Sequence, residues 1–460
     1  MHKLLFLLAL TTAGCAAGPR YVPPQPVAKA AGGFETAAAG VDSAAELPDH
    51  WWRLYNEPVL DSLIERALAA NTDLRVANAN LAKADAVLGE ARAGRLPTTD
   101  VSGGTSYGSA AGDFAQPASD RQWTHSGGLA VAWEIDLFGR VGRAIGAARA
   151  DADAVAAVRD AVRVTVAAET ARAYGDVCAF GASAAIARAS LATAEDSLRI
   201  VTAQQRAGSV GQLEVERAAG SVATARAAIP DVEGRRRVAL LELAALLGGQ
   251  PDDIPAGVGS CTRIPAPVAT LPVGDGNALL RRRPDLREAE RRLAADTARI
   301  GVAMADLYPR IRLGANGNIL RNDAIKGSDS FSFSLGPLLS WSFPNIAVAR
   351  SRVRQAEAQG DASLAAFDGK VIAALKEVEQ ALARYDAGQQ RRAALAEARD
   401  RAQTAYDLAQ ARYRAGSVSL LDTVIAQQSL IDARAALAES EQQLGSARID
   451  LFKALGGGWS

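Results

Sequence analysis

Residues Gly127–Gly139, GGLAVAWEIDLFG, alternate strictly: Leu129, Val131, Trp133, Ile135 and Leu137 fall on one side, and Ala130, Ala132, Glu134 and Asp136 on the other. A period of two belongs to a β-strand. A second stretch, SFSFSLGPLLSWSFP at Ser330–Pro344, repeats the pattern, setting Phe331, Phe333, Leu335, Leu339, Trp341 and Phe343 mainly against serines. Weaker partners precede each stretch: Val101, Thr105 and Tyr107 before the first, and Ile311, Leu313, Ala315 and Ile319 before the second. Strands are therefore predicted over 98–109, 124–137, 310–320 and 330–343. A length of about ten residues with aromatics on the apolar face suits a tilted strand crossing an outer membrane. Half-buried hairpins of a soluble sheet are the alternative on this pattern alone. Four strands close no barrel, and an open edge is not tolerated in lipid. A chain that spans a membrane with these strands must share a barrel among copies, and about three copies would give an even-numbered barrel of ordinary size.

The strands sit inside an internal duplication. Asn71–Ala86 parallels Arg283–Ala298, and Pro97 matches Pro309, both at an offset of 212 residues; Trp133 matches Trp341 at an offset of 208. The pentapeptide RAGSV occurs at Arg206–Val210 and again at Arg414–Val418, also 208 apart, and LLGG at Leu246–Gly249 matches ALGG at Ala454–Gly457. Each half reads helix, strand, turn, strand, very long helix, RAGSV turn, helix. The repeats are expected over 49–250 and 277–457, joined by a linker at 251–276, with tips near 206–214 and 414–422.

From Arg140 to Arg206 and from Ile346 to Arg414 no proline interrupts an alanine-rich helical pattern. Such a helix would extend roughly 100 Å and needs partners along its apolar seam, as in a coiled coil. A glycine after a long helix is the usual left-handed stop. Gly208 and Gly416 therefore end these helices, and QLEVERA and LLDTVIA begin the returning ones.

Lys plus Arg and Asp plus Glu number 51 each, a balance that argues against nucleic acid as a partner. No P-loop, GxSxG, HExxH or glycine-rich dinucleotide turn is found, so neither an enzyme nor a cofactor is expected. His50 and His125 are the only histidines beyond the first few residues, and no metal centre is expected. RRRPDLREAERR, at Arg281–Arg292, reads as a solvated helix start capped near Asp285. The start of the chain, MHKLLFLLALTTAGC, reads as a signal at 1–14 rather than a membrane span. It resembles a bacterial lipoprotein signal with Cys15 as the lipidated residue, although Thr12 stands where leucine is usual. An extended segment at 15–48 follows, read as a strap with no packing of its own. Cys178 and Cys261 remain a candidate disulfide, open until their Cα atoms are known to lie within roughly 7 Å.

DHWWRLYNEPVLDSLIERALAANTDL, RRRPDLREAERRLAADTARIGVAMADLYPRI, WEIDLFGRV and YRAGSVSLLD together resemble the signature stretches of the TolC-type outer-membrane efflux factors. The lipoprotein-like start and the GPRYVPP strap point to the OprM/NodT branch. The resemblance implies a mainly helical fold with a small membrane β part. Three chains would form a twelve-stranded barrel in the outer membrane, continued by a helical periplasmic tunnel. It implies a passive duct that docks on a periplasmic adaptor bound to an inner-membrane pump of the RND type. The outlet of a type I protein-secretion system, or a non-conducting structural or adhesive lipoprotein rod, are the competing readings.

Carried onto this sequence, the resemblance makes Arg206, Gly208, Ser209, Val210, Arg414, Gly416, Ser417 and Val418 the adaptor-docking tips. Asp422 falls on a carboxylate ring that narrows the closed pore, and Ile425 replaces a second acid; with Leu421 they form the expected gate. Tyr413 and Glu214 are the expected latch between hairpins, with Val418 standing where some relatives carry its arginine.

Overall fold

The computed structural model describes residues 17–25, 32–109, 120–267, 270–341 and 346–457. Cys15, the signal at 1–14 and Phe343 lie outside the described residues. In chain order the elements are β1 (Val41–Asp42), α1 (Pro58–Ala70), α2 (Thr72–Ala93), β2 (Thr98–Gly108), β3 (Gln122–Ile135), α3 (Arg140–Arg206) and α4 (Gln212–Leu246). There follow β4 (Leu271–Pro272), α5 (Gly276–Arg282), α6 (Pro284–Ala305), β5 (Arg310–Arg321), β6 (Phe331–Ser340), α7 (Ile346–Arg414) and α8 (Leu420–Ala454). Helix starts carry local signals. Asn71 Oδ1 accepts from the N–H groups of Asp73 and Leu74, and Asp275 caps α5 through Ala278. The Asp136 carboxylate accepts from Val141 and Gly142 at the head of α3, where the helix dipole favours negative charge.

The chain divides into two compact units. One comprises the described residues 17–25, Asn80–Ala156 and Glu288–Asp368, and holds an antiparallel sheet in the order β2-β3-β5-β6. The register aligns Val101, Leu129, Gly317 and Phe333 in one row, and Thr99, Val131, Ala315 and Leu335 in the next. Continuing the rows puts Trp133, Leu313, Ile135, Ile311, Leu339, Ile319 and Phe331 on the same face. The opposite face carries Ser102, Asn318, Ser332, Asp100, Asn316 and Ser334. The apolar face is uncovered, with Val101, Phe333 and Leu335 exposed to 80%, 78% and 73%. Among the described residues β2 and β6 are both unpaired on their outer sides, and they run antiparallel to one another. Against the sequence expectation, Leu137 falls beyond β3 and β6 ends at Ser340 among the described residues.

Trp133 donates its indole N–H to Arg95 O (2.9 Å), Trp341 donates to Leu307 O (3.3 Å), and Phe138 stacks on Tyr308 at 4.6 Å. The strap, with no packing of its own, docks here on other elements. Ala17 N–H donates to Phe138 O, and the Arg143 guanidinium donates to the carbonyls of Ala17 and Gly18. Gly18 has a φ of +92° and lies so close to Gly301 that a Cβ would meet the Gly301 backbone at 2.4 Å. Tyr21 packs on Ala150, Ala294 and Ala295 and donates to Glu290 at 2.5 Å.

The second unit comprises residues 32–79, Ala157–Arg287 and Gly369 onward. Its aromatic core joins Trp51, Trp52 and Tyr55 to Phe452, which stacks on Trp51 at 4.7 Å. Here the strap donates the N–H groups of Glu35 and Thr36 to the Glu379 carboxylate, and β1 pairs in parallel with β4. Arg283, read from the sequence as part of a solvated run, is 8% exposed and paired with Asp285 and Glu377, each at 2.7 Å. The linker is fastened to α3. Cys178 and Cys261 are joined as a disulfide with Cα atoms 4.7 Å apart, and Arg236 donates to the carbonyls of Gly259 and Cys261. Gly181 leaves room for this approach, since a Cβ there would sit 2.0 Å from Cys261 O.

By length and composition α3 alone among the described helices could cross a membrane. Some of its alanines and valines, among them Ala167, Ala168 and Val177, are instead buried in the helix packing.

Candidate functional site

The two RAGSV turns stop their helices in the same way. Gly208 and Gly416 have φ of +77° and +72°. Ser209 N–H returns to Gln204 O at 3.0 Å, and Ser417 N–H to Arg412 O at 2.9 Å, the six-to-one bond of a Schellman stop. Each serine hydroxyl donates to that same carbonyl, at 2.9 Å and 3.1 Å. The pentapeptide thus supplies a left-handed glycine and a side chain that doubles the capping bond. Arg206, Arg414 and both turn serines are exposed, while Val210 and Val418 are half-buried.

The returning helices begin differently. Ser419 caps α8 with a reciprocal box: its hydroxyl accepts from Asp422 N–H at 3.2 Å, and Asp422 accepts from Ser419 N–H at 3.0 Å and its hydroxyl at 2.6 Å. These bonds hold the Asp422 carboxyl below its ordinary value. Gly211 caps α4 with no side-chain bond. Leu421 and Ile425, four residues apart, share one face of α8 and are 43% and 56% exposed beside Asp422.

Just inside the tips one small cluster draws on all four long helices. Val201, Ala218 and Leu420 are buried there, with Leu198, Val210, Val215, Tyr413 and Val424 packed around them. Within the chain the Tyr413 hydroxyl donates to Gln204 Oε1. Burial pushes the Tyr413 phenol up, Gln204 opposes this, and the charge of half-buried Glu214 pushes it further. Gln204 carries no spacing signal and was not anticipated.

Further along the α3–α8 seam lies a polar strip. Ser197 donates to Gln427 Oε1 at 3.2 Å, and Gln427 is 1% exposed. Gln427 Nε2 and Thr423 Oγ1 are buried without a hydrogen-bond partner. An unsatisfied buried polar group costs roughly 1–3 kcal/mol, so this part of the seam is held less firmly than the apolar cluster. Among the described residues no group of His, Cys, Asp and Glu could hold a metal ion.

The sequence pattern of one family, described as outer membrane efflux protein, matches residues 63–249 and 276–457. Nodulation protein T of Rhizobium leguminosarum bv. trifolii is 30% identical over 460 residues, covering 98% of this chain and 96% of its own. Outer membrane protein OprJ of Pseudomonas aeruginosa is 31% identical over 463 residues, covering 98% and 95%. Among solved structures, the outer-membrane channel OprN superposes with a TM-score of 0.89 at 32% identity, over 97% of this chain and 100% of that one. The open state of the Neisseria gonorrhoeae MtrE outer membrane channel gives 0.83 at 26% identity, over 97% and 99%.

Proposed function

Because this chain belongs to the outer membrane efflux protein family, we propose that three copies of it form the passive duct of an efflux system. It is the outer-membrane channel component of such a system. The observation that carries the three-copy reading is the sheet: an uncovered apolar face and two open edges of opposite direction. Joining β6 of one chain to β2 of the next continues the antiparallel order. The apolar face then meets lipid, while the Ser/Thr/Asn face lines an aqueous lumen. Cys15 would add a lipid anchor in the same membrane.

The partners are a periplasmic adaptor and an inner-membrane pump. Relatives named as a solvent efflux pump outer membrane protein and a toluene efflux pump outer membrane protein, both of Pseudomonas putida, support small molecules as cargo. The near-identical turns at Arg206–Val210 and Arg414–Val418 offer the adaptor repeated contacts. Leu421, Asp422 and Ile425 set the closed aperture, with two apolar side chains per chain favouring a dewetted constriction. The weakly held strip at Thr423 and Gln427 leaves α8 free to shift when the gate opens.

Conductance across planar bilayers tests the duct, and the mass of the detergent-extracted particle tests the copy number. The double variant Asp422→Ala/Ile425→Ala should raise conductance and passive leakage. No change in either removes the gate assignment, and a non-conducting monomer removes the duct.

A further inference from the structure

On the apolar face of the sheet the side chains are uncharged from Ile135, Ile311 and Leu339 up to Gly127, Ile319 and Phe331. The next row breaks the rule. Thr105, His125 and Arg321 stand side by side there, paired in register across β2, β3 and β5. Tyr107 and Trp123 follow in the row beyond, with ring centroids 5.3 Å apart, and Trp123 stacks on His125 at 6.5 Å. Arg321 is exposed and makes no hydrogen bond or ion pair among the described residues. Thr105 Oγ1 engages His125 Nδ1 at 3.0 Å; when the hydroxyl donates, the ring hydrogen sits on Nε2 and faces an incoming oxygen. Arg121, also exposed and with no partner among the described residues, immediately precedes β3.

The position of this row is what gives it meaning, and here the argument rests on the barrel reading above. From Ile135 to His125 is ten residues (135 − 125). At the usual strand rise and tilt this covers roughly 33 Å along the strand and roughly 25 Å across the membrane, the height of an apolar band on a membrane barrel. The His125–Arg321 row therefore stands at the upper limit of the hydrocarbon, at the end of the sheet away from the point where β3 leads into α3. A lipid-facing arginine costs little at that depth but several kcal/mol at the midplane. The helix-side end of the same face is finished differently. Trp133 and Trp341 spend their indole N–H groups on the backbone, Phe138 stacks on Tyr308, and the described strand residues of that face carry no cation.

We infer that Arg321 and His125, flanked by Tyr107 and Trp123, form a binding site for the phosphate of a glycolipid in the outer leaflet. The chemistry is a charge-assisted contact from a guanidinium to a phosphate oxygen, completed by an imidazole N–H and by aromatic faces for the sugar and upper acyl chain. Arg321, exposed in this row, supplies a planar donor fork, and the apolar rows beneath it receive the acyl chains. One leaflet is selected because, among the described residues, only this end of the face carries cations without a partner.

The test is native mass spectrometry of the full chain in detergent with bis-phosphorylated lipid A, repeated with fully dephosphorylated lipid A and with inorganic phosphate. The wild type should retain the phosphorylated lipid about tenfold more tightly than Arg321→Gln/His125→Gln, about the value of one charge-assisted contact. Arg321→Lys should keep most of the retention, which separates loss of charge from loss of fold. Dephosphorylated lipid A should bind the wild type no better than the phosphorylated lipid binds the double variant. Equal retention by wild type and double variant overturns the site. So does an equal loss in Arg312→Gln, on the opposite face of β5. Displacement by millimolar inorganic phosphate, with dephosphorylated lipid still bound, assigns the row to a free anion and overturns the lipid. Bilayer conductance of the same preparation keeps the premise separate: conducting particles without selective lipid retention cost the site alone, and particles that do not conduct cost the barrel.

Discussion

The two helical hairpins share a turn and little else at the places where they do work. At an offset of 208, Gly211 corresponds to Ser419, Glu214 to Asp422, Arg217 to Ile425, Gln205 to Tyr413 and Pro230 to Ala438. The stops at Gly208 and Gly416 are superimposable in their hydrogen bonds, whereas only the second hairpin has a capping box at its return. Higher up, Cys178 and Gly181 correspond to Asp386 and Gln389. The first pair holds the linker through a disulfide and a close backbone approach. The second holds the strap by hydrogen bonds, from Ala39 N–H to Asp386 and from Gln389 to Ala39 O at 2.7 Å. Duplication thus preserved the geometry of the turn and the place where an outer segment is gripped. What diverged is how firmly each is held: covalently on the first hairpin, reversibly on the second.

The covalent grip gives the largest expected effect. Cys178→Ser/Cys261→Ser opens a loop of sequence separation 83 and should cost roughly 2–4 kcal/mol. Asp386→Asn/Gln389→Ala should cost about 1 kcal/mol. Thermal midpoints of detergent-purified protein, with and without reductant, report both, and equal shifts would erase the distinction. Next in size, Gly208→Ala and Gly416→Ala each force a left-handed backbone on a side chain, for about 1–2 kcal/mol. Their costs should agree closely; a clear difference would mean that the turns are not equivalent after all.

Ser419→Ala removes the box and should cost about 1 kcal/mol, while Gly211→Ser should return a few tenths by giving the first hairpin the cap that it lacks. The smallest effect is in pH. The Asp422 carboxyl lies below its ordinary value of 3.8 because the folded cap favours its charged form. Its contribution is complete above that value and is lost as pH falls through the depressed one. Acid melts should show this loss in the wild type and not in Asp422→Asn.

The elements that the sequence disclosed are those with a local signature. Alternation assigned Val131 and Phe333 to one face, and positive φ made Gly208 and Gly416 legible as stops, because strand pairing and helix termination depend on near neighbours. The partners of Tyr413, Arg283 and Gly18 were not legible. Gln204, Glu377 and Gly301 meet them across the fold, and a buried polar pair reads in sequence like a solvated one. So it is at the tip: Gln204 takes the Tyr413 hydroxyl inside the chain, and the latch of Tyr413 with Glu214 stays a proposal carried by the resemblance. Where the strap docks was not legible either, because a proline- and glycine-rich segment brings no core of its own and packs against α6.

The sheet has a consequence for stoichiometry. Each repeat contributes one up-and-down strand pair, so any whole number of repeats presents edges of opposite direction and can close without a parallel seam. A chain of half this length would need six encounters to complete the ring that three fused copies complete on the three-copy reading. Fusion makes half of the joins intramolecular. The β3–β5 pairing inside each chain is one of these, formed at the effective concentration set by a tether rather than by the concentration of free chains in the membrane.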